Sequence, residues 1–170
     1  SLSAVVNGKC IDTSMGFTPL DGFVMGSRCG SIDPAIVPFI MEKEGMTPSE
    51  MNNFMNKNCG LLGVSDGLSS DCRNLGEAVE AGNEDAKLAI DILCYQIKKF
   101  IGSYTAAMNG LDALVFTAGI GENRDEIRSA ACRDMEFFGI KLDEEVNAKT
   151  KLQGDNVCIS APDSKVKVYV

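Results

Sequence analysis

Leu114-Val115-Phe116-Thr117-Ala118-Gly119-Ile120-Gly121-Glu122-Asn123-Arg124 is the stretch on which the reading of this chain turns. The apolar run from Ala113 to Phe116 reads as a buried strand. It enters a turn carrying Gly119 and Gly121, and Asn123 then opens an amphipathic helix expected to reach about Phe137. Strand, glycine turn and helix N-terminus form a site suited to phosphate or nucleotide, because glycines admit a ligand to the backbone and free N–H groups point at it. The stretch lacks the third glycine of a dinucleotide fingerprint and the Gly-Lys-Ser/Thr of a P-loop. On these residues alone, an ordinary strand-to-helix turn stays open beside the nucleotide site.

Composition narrows the classes. With 170 residues, 45% hydrophobic and 24% charged, the chain reads as one globular domain with a real core. A net charge of −8 without a basic stripe excludes a phosphate-backbone binder, so no nucleic acid partner is expected. ATP remains compatible, since backbone N–H groups, a few arginines and Mg²⁺ suffice for a nucleotide. The seven cysteines are scattered without a Cys-x-x-Cys pair, which fits reduced thiols of a cytoplasmic protein. Histidine is absent, which removes Ser-His-Asp and Cys-His catalysis and histidine metal sites from these residues. No run is apolar enough for a membrane span. Both ends fall inside strand-like runs, Ser1–Val6 and Val166–Val170, so the chain reads as a piece of a longer protein.

Leu2–Val6 and Lys9–Thr13 flank Asn7-Gly8 and predict a hairpin. Ser14–Ser31, rich in Gly, Ser, Thr and Met, reads as a long loop. Asp33-Pro34 predicts an N-cap and first helical position, with Gly45 as the stop. Thr47-Pro48-Ser49-Glu50 is a capping box that starts a helix to about Lys57. Gly60–Gly67 reads as a glycine-rich loop and Ser69–Asn74 as a polar turn before a short helix to about Ala81. Asn83 caps the longest helix, to about Met108, with Leu88, Ile92, Tyr95, Ile97 and Ile101 among its apolar positions. Val157–Ser160 and Val166–Val170 read as further strands, which makes an α/β domain.

Arg28, between glycines in Met25-Gly26-Ser27-Arg28-Cys29-Gly30, could fork onto a carboxylate or a transferring phosphoryl group, or could be a solvated loop residue. Asp12 and Asp21 bracket that loop and could hold Mg²⁺ through water or simply make turns. Asp71-Cys72-Arg73 could receive an adenosine, with the carboxylate on ribose hydroxyls and the guanidinium on the base; a helix-capping turn is the plainer alternative. Pro19 could wall a small apolar substrate pocket or shape its turn.

These motifs closely resemble the acetate, propionate and butyrate kinase family, and acetate kinases most of all. The resemblance spans nearly the whole chain: Ser1–Val5, Ile11-Asp12-Thr13-Ser14-Met15-Gly16-Phe17-Thr18-Pro19-Leu20, Met25 to Pro34, Gly60-Leu61-Leu62-Gly63-Val64-Ser65 and Phe116 to Asn123. It implies a ribonuclease-H-like domain of the acetate kinase, sugar kinase, Hsp70 and actin superfamily, with residues 1–170 forming part of the C-terminal domain of a two-domain enzyme. The implied reaction is reversible transfer of the ATP γ-phosphoryl group to acetate, giving acetyl phosphate and ADP with Mg²⁺, by a cytoplasmic homodimer. By the same resemblance Arg28 is the catalytic arginine and Pro19 lines the acetate pocket. Asp71, Cys72 and Arg73 meet the adenosine, and Gly119, Ile120, Gly121, Glu122 and Asn123 form the adenine- and ribose-side loop.

The departures bear on activity. The family's catalytic histidines and phosphate loop would precede Ser1, and the Asn-Glu-Glu segment with a metal-ligating glutamate would follow the last strand. No metal ligand is assigned within these residues, and the fragment by itself is expected to be inactive. One residue reads as inserted near Asp66, and Glu144–Asn156 is longer and less family-like than the rest. Propionate or butyrate kinase, and a non-catalytic nucleotide-binding module of the same superfamily, are the alternatives. Arg28 argues against the last, since a pure binder has no use for it.

Overall fold

Asn7 and Gly8 both take positive φ, 51° and 75°, the backbone of a tight primed turn. They join β1 (Ser3–Val6) and β2 (Lys9–Thr13) into the expected antiparallel hairpin, with a register shift at Ala4/Val5. The coordinates are a computed structural model describing residues 1–150 and 156–170. The chain divides into two compact units, Ser1–Gln96 and Ile97–Val170.

In the first unit, the loop after β2 leads to α1 (Ile36–Glu44), α2 (Pro48–Lys57), α3 (Gly60–Val64), α4 (Cys72–Glu80) and the first half of α5 (Glu84–Ala107). Thr47 and Glu50 form the capping box in full: the Thr47 hydroxyl accepts the Glu50 N–H and the Glu50 carboxylate accepts the Thr47 N–H. Asn83 Oδ1 accepts the Ala86 N–H at 2.8 Å, so α5 starts where its cap predicts. Two expectations need correction. Asp33 caps a turn rather than the helix itself: its Oδ1 takes the Ala35 N–H at 2.9 Å, and α1 begins at Ile36. Gly60–Gly67 is not all loop, because Gly60–Val64 closes into the short α3. Met51, Leu61, Leu75, Ala86, Ala89 and Leu93 are buried at 2% exposure or less. Each large one contributes about 1.5–3 kcal/mol of apolar burial. Along α5 the buried stripe is Ala86, Ala89, Leu93, Ile97, Ile101 and Tyr104, whereas Leu88 and Tyr95 face out.

The second unit holds the rest of α5, β3 (Ala113–Val115), α6 (Ala118–Asn123), α7 (Asp125–Cys132), a 3₁₀ turn at Glu136–Phe138, α8 (Glu144–Lys149) and β4 (Lys167–Tyr169). β3 pairs in parallel with β4, Leu114 opposite Val168. β3 is not the buried strand that its apolar run suggests: Val115 is 61% exposed, because β4 is its one strand neighbour among the described residues. The helix expected from Asn123 to Phe137 is shorter, α7 at Asp125–Cys132, ending before Asp134 at φ 56°, and the expected glycine turn before it is the short helix α6. Val157–Ser160 makes isolated bridges, Leu142 to Ser160 and Cys158 to Tyr169, rather than a strand. Of the stretch Glu144–Asn156, residues 151–155 lie outside the described residues. Ile127, Met135, Ile140, Ile159 and Val168 are buried at 2% or less.

Candidate phosphoryl-transfer and nucleotide site

The arginine loop is held by backbone. The Met25 N–H donates to the Arg28 carbonyl at 3.2 Å, closing a turn around Gly26 and Ser27. The N–H groups of Cys59, Leu61 and Leu62 donate to the carbonyls of Ser27, Met25 and Gly26 at 3.1, 2.9 and 2.9 Å, and the Cys29 N–H reaches Met55 O at 3.0 Å. The loop is thus laced to the junction of α2 and α3. Gly60 is the residue that permits it. Its φ is +64°, and a Cβ there would stand 2.1 Å from Met25 O and 2.7 Å from Arg28 O. Gly26 approaches the Ser70 carbonyl in the same way, its would-be Cβ 2.6 Å away, so the loop abuts the segment that leads into Asp71.

On this frame the Arg28 side chain is exposed, and its Nη1 lies 3.5 Å from the Pro19 carbonyl. Two of the candidates, Arg28 and Pro19, are therefore neighbours. Among the described residues four of the five guanidinium donors have no protein acceptor, which leaves them to take an oxyanion. Phe17, two residues before Pro19, is fully exposed and extends the apolar edge.

Asp21 fastens the ends of the long loop. Its Oδ1 accepts the Ser31 hydroxyl at 2.5 Å and the Gly22 N–H at 2.9 Å, and the Ser31 N–H returns to the Gly22 carbonyl at 2.7 Å. Those bonds, first from Ser31 and then from Gly22, hold the Asp21 carboxyl below its usual range. Asp12 accepts the Thr13 N–H at 2.7 Å. Both acids make turns, and among the described residues no group of three His, Cys, Asp or Glu side chains could hold a metal ion.

Asp71 is the N-cap of α4, its Oδ1 accepting the Arg73 N–H at 2.8 Å, and it also forks onto the Arg73 guanidinium, with Nη2 to Oδ2 at 2.6 Å. The pair keeps Arg73 well exposed, 77% by side chain, and raises its guanidinium above the ordinary value. The Cys72 side chain is buried, leaving only its backbone to face a ligand. Cys29 and Cys59 border an apolar cavity of about 420 Å³ beside Val24, Phe54 and Val64. Burial pushes both thiols up, so neither is a ready nucleophile.

In the second unit, Gly119, Ile120, Gly121, Glu122 and Asn123 lie inside α6, not in an open turn. The expected free N–H groups are partly taken: Glu122 Oε1 accepts the Ala118 N–H at 2.8 Å and lies 3.3 Å from the Thr117 hydroxyl. Asn123 Nδ2 donates to Gly119 O at 2.9 Å. Gly121 is packed tightly, its would-be Cβ 3.1 Å from the Phe116 carbonyl carbon. Two residues escape sequence reasoning here, Arg128 and Asn147, both buried to 1% exposure or less. The visible signal was an arginine inside the apolar stripe Ile127, Ala131, Cys132 of α7.

The sequence profile of the acetokinase family matches residues 1–170. The chain belongs to the acetokinase family. It is 56% identical over all 170 residues to an acetate kinase of Methanosarcina thermophila, and 55% identical to one of Carboxydothermus hydrogenoformans. The chain spans about two-fifths of the length of these curated relatives, 41% and 42%. Among solved structures, acetate kinase of Porphyromonas gingivalis superposes with a TM-score of 0.93 at 47% identity, covering 98% of this chain and 41% of that one. A propionate kinase from Francisella tularensis subsp. tularensis SCHU S4 gives 0.88 at 42%, again over 98% of this chain and 41% of that one. The fold is therefore the α/β fold of acetate kinases, as the sequence motifs imply.

Proposed function

We propose that residues 1–170 are the nucleotide-side part of a two-domain acetate kinase, which moves the γ-phosphoryl group of ATP reversibly to acetate to give acetyl phosphate and ADP. The observation that carries the reading is Arg28 beside Pro19 on a loop laced to Gly60. A phosphoryl group in flight is planar and carries charge on its equatorial oxygens, so catalysis consists of positioning and charge neutralisation. A rigidly mounted guanidinium with free donors supplies both, and the Pro19 edge suits the methyl end of a short carboxylic acid. Asp71 and Arg73 receive the adenosine, the forked ion pair lying exposed where a ligand reaches it. Cys72 adds backbone contact, and Gly119 to Asn123 are assigned to the nucleotide by the family resemblance. Mg²⁺ would neutralise phosphate charge when it arrives with the nucleotide. The carboxylates described here do not form a cage for it, since Asp12 and Asp21 make turns. A cytoplasmic homodimer belongs to the same reading and rests on the family resemblance.

Propionate as the acceptor is the second reading, favoured by the similarity to a propionate kinase. Both are tested on the full-length protein by measuring acyl phosphate formation with acetate and with propionate. For acetate kinase, kcat/KM is higher with acetate; a higher value with propionate reverses the choice. Arg28→Ala is expected to lower kcat by about 10²- to 10³-fold with an unchanged melting temperature. Full activity in that variant would overturn the assignment of Arg28.

A further inference from the structure

α6 and α7 would be one helix if the last carbonyls of α6 met backbone donors. In a continuous helix Gly121 O and Glu122 O would accept the N–H groups of Asp125 and Glu126. Instead Arg128 Nη1 donates to both, at 2.8 and 3.0 Å. The same guanidinium sends Nε to Asn147 Oδ1 at 2.7 Å and Nη2 to Asn147 O at 3.0 Å, with Thr150 O at 3.5 Å. Asn147 Nδ2 in turn reaches Asp125 O at 3.0 Å and Ser129 Oγ at 2.9 Å, tying α8 to the first turn of α7. Arg128 has 0% exposure, and among the described residues the oxygens it bonds are neutral. A buried cation held by neutral oxygens is costly, and the Asp125 and Glu126 charges offset its desolvation only in part. Its compensation is geometric. It terminates α6 at Asn123 and fixes where Gly121 and Glu122 stand. A cation at a helix C-terminus also complements the dipole there.

We propose that Arg128 and Asn147 are positioning residues that hold the α6 segment Gly119–Asn123 in its nucleotide-receiving shape. This rests on the reading of that segment as a nucleotide-contacting one. Neither residue touches the nucleotide; both act through the carbonyls and helix ends they hold.

The test uses the full-length protein with Arg128→Ala, Arg128→Lys, Asn147→Ser and Asn123→Ala. KM is measured separately for ADP and acetyl phosphate, beside thermal melting. Arg128→Ala is expected to raise the ADP KM by about tenfold or more while the acetyl phosphate KM stays within about twofold. Guanidinium ion at tens of millimolar, filling the vacated space, is expected to restore the ADP KM; ammonium is not. Arg128→Lys, a single point donor in place of a fork, is expected to remain impaired. Asn147→Ser keeps the arginine and is expected to show the same one-sided shift, about threefold, so it decides the matter if the Arg128 variants do not fold. An unchanged ADP KM in the folded variants, or equal losses for both substrates that track melting temperature, would overturn the proposal. If Asn123→Ala weakens ADP while Arg128 and Asn147 variants do not, this inference fails alone. If Asn123→Ala is also without effect, the assignment of the segment to the nucleotide fails with it.

Discussion

Replacing Gly60 by alanine tests whether the arginine loop is mounted as described. The added Cβ would stand 2.1 Å from Met25 O, 2.7 Å from Arg28 O and 2.8 Å from Arg28 N, all backbone atoms. Relief requires the loop to withdraw by about 1 Å, since carbon and oxygen tolerate no less than about 3 Å of separation in a packed interior. That withdrawal stretches the Leu61 N–H bond to Met25 O, now 2.9 Å, out of hydrogen-bond range, and strains those of Cys59 and Leu62 to the same turn. Each bond lost costs about 0.5–1.5 kcal/mol, and alanine at φ +64° adds about 1 kcal/mol of its own. The sum is about 2–4 kcal/mol. Gly45 supplies the control. Its φ is +66° with nothing within 4 Å of a would-be Cβ, so Gly45→Ala incurs the conformational cost alone. Urea unfolding of the two full-length variants should separate them by the contact contribution, about 1–3 kcal/mol. Where Gly60→Ala remains folded, kcat should fall at least tenfold, because the guanidinium is displaced by an ångström from the reacting group. Equal destabilisation of the two variants, together with an unaltered kcat for Gly60→Ala, would refute the reasoning.

Further outcomes can be checked on the full-length protein. Arg73→Ala is expected to raise the nucleotide KM about fivefold or more by removing the stacking cation. Asp71→Asn keeps an N-cap and should leave melting unchanged while shifting the same KM; calorimetric titration with MgADP reads both, and unaltered affinity in both variants would remove this turn from the site. Cys132 is buried, and burial, reinforced by Glu144, pushes its thiol up to about 12. It should resist alkylation at pH 8 until the protein unfolds. Between its usual 9.0 and about 12 the unfolded thiol ionises while the native one keeps its proton, so stability is present below pH 9 and falls as pH rises through that window. Cys132→Ala should show a shallower decline over pH 8.5–10.5, and parallel pH curves would contradict the assignment.

The local chemistry of the chain was largely legible. A cap, a turn or a stop depends on residues within four or five positions, so Asn7-Gly8, Thr47 to Glu50, Asn83 and Gly45 each act where sequence puts them. Motif order likewise carried the family, the α/β fold and the choice of Arg28, Pro19, Asp71, Arg73 and Gly119 to Asn123 as site candidates. What sequence could not supply were effects made by residues far apart in the chain. α3 closed where glycines suggested loop, and β3 stayed exposed because its burial depends on partners and not on its own apolar run. Gly60 reads as one glycine among several until Met25 and Arg28 are seen pressed against it. Gly119, Gly121 and Asn123 announce a helix boundary near Arg124, but not the helical turn α6 before it nor what holds the break. There a guanidinium four residues later, itself held by Asn147, takes the carbonyls that would have continued the helix. Periodicity records which side chains turn inward; which backbone groups a buried cation captures is settled only by the packing around it.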